Sequence, residues 1–144
     1  MGRRRAPVRG NAVLEFSFVF LLFWALIAGS VRIGYSTYIY YSLVSGVAGA
    51  ARYAARADFD VPDHRFAGAV ANMAVYGSPT GLGSPLAPGL TPASISVTWT
   101  SDATGTPVTV TVSVKEFSVN APFQTLAWKG KPSVTARYAG TYKP

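Results

Sequence analysis

Residues 12–31, AVLEFSFVFLLFWALIAGSV, form an apolar run with one ionisable side chain, Glu15, and no proline. About twenty such residues in a helix cross the ~30 Å hydrocarbon core of a bilayer. The pattern does not end at a turn. Residues 32–57 continue without proline and are rich in small side chains. A helix over residues 11–57 would be a rod of ~70 Å at 1.5 Å per residue. Tyr35, Tyr38, Tyr40 and Tyr41 follow the apolar run, where an interfacial aromatic belt is expected. A chain that commits its first two fifths to such a rod can form only a small domain with what remains.

The rod's distal half carries small residues at four-residue spacing: Ser42, Gly46 and Ala50 on one line, Ser45 and Gly49 on the next. That spacing lets helix backbones approach closely. Ser42, Gly46, Gly49 and Ala50 are therefore candidates for packing against another chain's helix, or against the protein's own sheet.

Beyond the rod, Asp58, Asp60, Pro62 and Asp63 read as a break and the acidic, proline-bearing start of a second helix. Phe66, Ala69, Val70 and Met73 then recur at helical spacing to about Tyr76. Residues 78–92, SPTGLGSPLAPGLTP, have no periodicity and read as a mobile loop. After the loop the period becomes two. Ile95, Val97 and Trp99 alternate with Ser96, Thr98 and Thr100; past a turn at DATGTP, Val108, Val110, Val112 and Val114 alternate with Thr109, Thr111 and Ser113. Residues 120–131 read as a long connection carrying Pro122, Phe123, Leu126 and Trp128. Val134, Ala136 and Tyr138 mark a third strand, extending toward Tyr142. The expected class is α+β: a long N-terminal transmembrane helix continuing into a small domain with a short second helix and an antiparallel sheet.

The formal charge of +7 comes from 13 basic and 6 acidic residues. Arg3, Arg4, Arg5 and Arg9 crowd into the first ten positions, and the other basic residues are scattered. No basic stripe or nucleic-acid motif is present, so no nucleic-acid partner is expected. A basic leader beside an apolar run fits the positive-inside rule, with the arginines cytoplasmic and the C-terminal part across the membrane.

Catalytic and metal-binding patterns are missing. There is no cysteine and one histidine, His64, read as a solvated residue beside Asp63 and Arg65. Asp58, Asp60 and Asp63 lack the glycine-turned loop and closing glutamate of a calcium site. Gly81 and Gly83 sit in a proline-rich loop rather than before a helix, and no nucleophile elbow occurs. No enzyme activity, cofactor, metal or small-molecule substrate is expected.

Three readings of the N-terminus compete. A secretory signal would use Ala28, Gly29 and Ser30 as its cleavage site. A signal anchor would stay uncut and hold the domain outside the membrane. Both leave Glu15 as an uncompensated cost, ~2.5–3.5 kcal/mol for an acid at the centre of a membrane helix on insertion scales. In the third reading, cleavage between Gly10 and Asn11 frees an α-amine four residues before Glu15. A neighbouring chain then sets its amine against this carboxylate, each charge offsetting the other's desolvation.

That arrangement resembles the class III signal of the type IV pilin superfamily, and within it the TadE-like pseudopilins of the tight-adherence (Flp) pilus system. The carrying features are a basic leader ending at Gly10, the motif Leu14-Glu15-Phe16, the apolar helix, a small-residue extension and the close Ala51-Arg52-Tyr53-Ala54. The resemblance covers about the first 55 residues and is looser after them. Phe16 stands where the major Flp pilin commonly has tyrosine, and the domain after residue 57 is too large for that short subunit. Both point to a minor pilin-like protein. The resemblance implies a leader at residues 1–10, a helix over 11–57 and an extracytoplasmic domain over 58–144. It implies a prepilin peptidase acting at Gly10 and Asn11, and register in assembly set by Glu15 and Phe16. Its implied partners are other pilin-like subunits and a pilus assembly platform, and its implied location is a bacterial cytoplasmic (inner) membrane. The remaining alternative is a membrane-anchored or secreted domain with no pilus role.

Overall fold

No proline interrupts residues 9–54, and that stretch forms one helix, α1 (Arg9–Ala54), of 46 residues. The computed structural model describes residues 9–59, 65–103, 105–121 and 124–140. The helix has two different halves. Residues 11–27 are all exposed, whereas Ile39, Leu43, Val47, Ala50 and Ala54 are buried. Their spacing of three or four residues makes one stripe along the helix, and the domain is built on that stripe.

A short helix, α2 (Arg65–Tyr76), lies against it, burying Phe66, Val70, Ala71, Ala74 and Val75. The start of α2 is thus close to the sequence expectation, while Asp60, Pro62, Asp63 and His64 lie outside the described residues. Gly77, at φ +69°, ends the helix, its N–H bonded to the Met73 carbonyl oxygen at 3.0 Å. Glycine suits that left-handed position because it has no Cβ to clash.

Five strands follow: β1 (Ile95–Ser101), β2 (Pro107–Val114), β3 (Glu116–Ala121), β4 (Gln124–Lys129) and β5 (Ser133–Arg137). The first, second and fifth make an antiparallel sheet in the order β1-β2-β5, and β3 pairs with β4 as a separate hairpin. Strand alternation divides the larger sheet cleanly. Val110, Val112 and Val114 are buried beneath it, while Thr98, Thr111 and Thr135 stand opposite one another on the other face. Val108 departs from its expected partners in the core and is exposed at the end of β2. The turn before β2 is closed by the Asp102 side chain, which accepts the Thr106 N–H at 3.0 Å. The class is α+β, a long helix leading into a small sheet domain.

Two expectations change. Residues 120–131 are not a long connection, because β3 and β4 form a hairpin in which Phe117 faces Trp128 and Val119 faces Leu126. The Phe117 and Trp128 rings stack with centroids 5.8 Å apart. An ion pair between Glu116 and Lys129, 2.9 Å long and exposed, adds little at the open end. The loop expected to be mobile is fastened at several points. Leu86 N–H bonds to the Val75 carbonyl oxygen at 2.8 Å, the Asn72 amide reaches the Pro79 carbonyl oxygen at 3.3 Å, and Ala87 and Leu90 enter the core.

Gly46 is where α1 and α2 come closest. A Cβ there would run into the carbonyl oxygen of Ala74 and lie 3.1 Å from Leu86 Cδ1. At Gly49 nothing stands within 4 Å. The same substitution therefore has opposite signs one turn apart. Alanine improves helix propensity by ~1 kcal/mol at either site. At Gly46 it also meets backbone that cannot turn aside, and overpacking costs ~1–3 kcal/mol. Gly46→Ala should lower the melting temperature of the detergent-extracted protein and Gly49→Ala should raise it. Equal shifts would contradict the packing described.

The chain closes on the helix it began with. The Tyr138 hydroxyl donates to the Ala57 carbonyl oxygen at 2.9 Å, and the Ala139 N–H bonds to the Ala55 carbonyl oxygen at 2.8 Å. Phe59, Phe66, Trp99 and Tyr138 meet edge to face around this closure.

Candidate functional site

The N-terminal half of α1 has apolar side chains on every face and no neighbour on any of them. Among the described residues it is the one helix long and apolar enough to cross a membrane, and as such a candidate anchor. Phe16 and Phe20 stack along it, centroids 6.3 Å apart, and both are exposed. Gly10 and Asn11 lie within the helical segment.

The polar groups of this rod divide into satisfied and unsatisfied. Ser17 donates its hydroxyl to the Val13 carbonyl oxygen at 2.8 Å, and Ser30 to that of Leu26 at 2.9 Å. Such back-bonding to the preceding turn removes the need for an outside partner. Ser36 and Ser42 do likewise, to Ile33 at 2.9 Å and Tyr38 at 3.0 Å. Glu15 has no such recourse. Its carboxylate is exposed and makes no hydrogen bond or ion pair among the described residues. One ionisable, acceptor-only group thus stands on a surface whose serines are satisfied within the helix.

The four small residues singled out for helix packing do not act together. Gly46 and Ala50 are buried in the protein's own core. The partner of Gly46 is α2, not the sheet, since α2 lies on that face of the helix. Ser42 and Gly49 remain half-exposed. Gly49 forms part of an open groove of about 460 Å³ lined also by Arg52, Tyr53, Arg56 and Met73. Two of its lining residues, Arg52 and Arg56, are arginines. Among the described residues no three His, Cys, Asp or Glu side chains gather as metal ligands would.

A larger groove, about 630 Å³, has no counterpart in the sequence reading. One wall is the α1 face of Ser36, Thr37, Tyr40, Tyr41 and Val44, and the other is Leu126, Ala127 and Trp128 of β4. It lies directly above the bare half of the helix. The only trace of it in the sequence is the spacing of its helical wall, since its other wall comes from more than eighty residues further along the chain. Comparison of the chain with protein-family models, with curated proteins and with solved structures finds no match.

Proposed function

We propose that this protein is a minor pilin-like subunit, similar to the TadE-like pseudopilins, that takes part in assembling a tight-adherence pilus or a related secretion apparatus. The observation that carries the reading is the Glu15 carboxylate, without a hydrogen bond or ion pair among the described residues and the one ionisable side chain in residues 12–31 of a membrane-length helix. A buried carboxylate needs a cation. Cleavage after Gly10 supplies one, because the new α-amine at Asn11 of a neighbouring subunit can reach the same depth. The basic leader holds residues 3–9 on the cytoplasmic side, and the domain beyond Arg32 lies outside. Binding between subunits in the membrane, rather than catalysis, is then the work of Glu15, and Phe16 beside it adds an exposed ring to the same surface.

N-terminal sequencing of the membrane-extracted protein tests this directly. The expected first residue is Asn11. A chain starting at Met1 or Gly2 would make the helix a plain anchor, and one starting at Val31 would make it a secretory signal; either overturns the proposal.

A further inference from the structure

The larger groove has aromatic and hydroxyl-bearing walls, and none of its lining residues is charged. Tyr40 and Tyr41 are exposed on the helical wall, their ring centroids 6.5 Å apart and their planes at 67°. Trp128 lines the other wall, with Phe117 stacked on its ring. Aromatic rings around an open space with no carboxylate suit an organic ammonium, which is drawn to the faces of the rings. The position of the groove adds a fixed charge. Arg32 is the one basic residue between Arg9 and Arg52. It is exposed and makes no ion pair among the described residues. It directly follows the apolar run, where hydrocarbon gives way to headgroups, and stands one turn below Ser36 on the flank of the groove. Helical side chains lean toward the N-terminus, so the Tyr40 and Tyr41 rings cover the turn beneath their own Cα atoms. Rings and guanidinium are thus separated by on the order of one turn, ~5.4 Å along the axis.

We propose that this groove seats the headgroup of an aminophospholipid from the membrane that α1 enters. The phosphate lies on the Arg32 guanidinium, which is always charged and suits phosphate oxygens. The ammonium lies among Tyr40, Tyr41 and Trp128. The acyl chains run down the bare half of the helix past Gly29, where nothing stands within 4 Å. Charge complementarity selects the class of lipid. An anionic headgroup with no ammonium would satisfy Arg32 and leave the rings unused, whereas a zwitterion with both groups uses both. The source is the bilayer, because the exposed apolar surface of residues 11–27 leads up to the groove with no part of the domain between. A lipid held there ties β4 to the membrane surface and fixes how far the domain stands from it. The inference needs α1 in a membrane but not cleavage at Gly10, so it is independent of the pilin-like reading.

The test is native mass spectrometry of the full-length protein, extracted in mild detergent and mixed with phosphatidylethanolamine and phosphatidylglycerol of identical chains. One phosphatidylethanolamine per protein chain should be retained, several-fold over phosphatidylglycerol. Tyr40→Phe keeps a ring and should keep the lipid, while Tyr40→Leu should lose most of the preference. Arg32→Gln should lose it too, with Arg32→Lys intermediate. Tyr38→Leu, exposed on the helix but outside the groove, should behave as the parent. Any of four results would overturn the assignment: equal retention of the two lipids, Tyr40→Leu binding as well as Tyr40→Phe, soluble phosphoethanolamine competing as effectively as the lipid, or a second protein chain held in place of lipid. The pilin-like reading fails separately. A first residue of Asn11 without lipid selectivity removes the lipid site alone. Lipid selectivity in a chain that begins at Met1 removes the pilin-like reading alone.

Discussion

Replacing Glu15 by alanine should leave the protein in the membrane and separate it from its partner subunits. The two effects have opposite signs because the carboxylate is unfavourable in an isolated membrane helix and would be favourable in the proposed assembly. Alone in lipid it costs up to ~2.5–3.5 kcal/mol, so its loss makes insertion no worse. In the proposed assembly it would be one half of an ion pair. Removing one partner of a buried pair strands the other charge, at ~3–5 kcal/mol. That corresponds to a loss of association of about two to four orders of magnitude. Carbonate extraction should still find Glu15→Ala in the membrane pellet, while co-purification of partners from a detergent extract falls to background. Glu15→Gln keeps the shape and the hydrogen-bonding capacity but not the charge, and should fail in the same way. If either variant retains its partners, the pairing is wrong.

Leu43→Ala should have the largest effect on the domain, and none on the anchor. Leu43 is 1% exposed and sits midway along the stripe of α1 that the domain covers. Truncating a leucine in such a place costs ~2–5 kcal/mol. For a domain of this size that lowers the melting temperature on the order of 10–30 °C. The control is Phe18→Ala on the same helix, where the larger side chain is 72% exposed and packs against nothing in the domain. Limited proteolysis of membrane-held protein should show Leu43→Ala digested down to its anchor and Phe18→Ala as resistant as the parent. Equal sensitivity would mean that the two halves of α1 are not independent in the way their burial indicates.

The contrast between those substitutions also explains what could be read from the sequence. The bare half of α1 is a local property, since twenty apolar residues and one acid signal themselves wherever they occur. Strands β1, β2 and β5 were equally plain, because each keeps a strict alternation that only one sheet face satisfies. The hairpin was missed at a slip of phase. Apolar residues fall on even positions through Val110, Val112 and Val114, then on odd ones at Phe117 and Val119. Lys115 absorbs the slip, and the chain passes from one sheet to the other across that single residue. A one-residue change in an alternating pattern marks a new face or a new sheet. The candidate site divides in the same way. Glu15 was visible because a charge among apolar residues needs no tertiary context. The groove was not, since Tyr41 and Trp128 meet only in the folded domain. Gly46 and Ala50 belong with the groove in this respect, because small residues at that spacing do not reveal which helix they admit.

The middle strand of the larger sheet sets a schedule. β2 pairs on one side with β1, which precedes it, and on the other with β5, close to the end of the chain. Val112, already opposite Val97, gains its second neighbour only with Val134, and Ala55 its bond only with Ala139. Contacts of such sequence separation form late, because the loops between them must first be closed. A chain delivered from its N-terminus therefore carries an open, half-built sheet until Ser133–Arg137 arrive. Closure of this sheet is therefore decided by residues 133–137, and any truncation before residue 133 leaves β2 without its second neighbour.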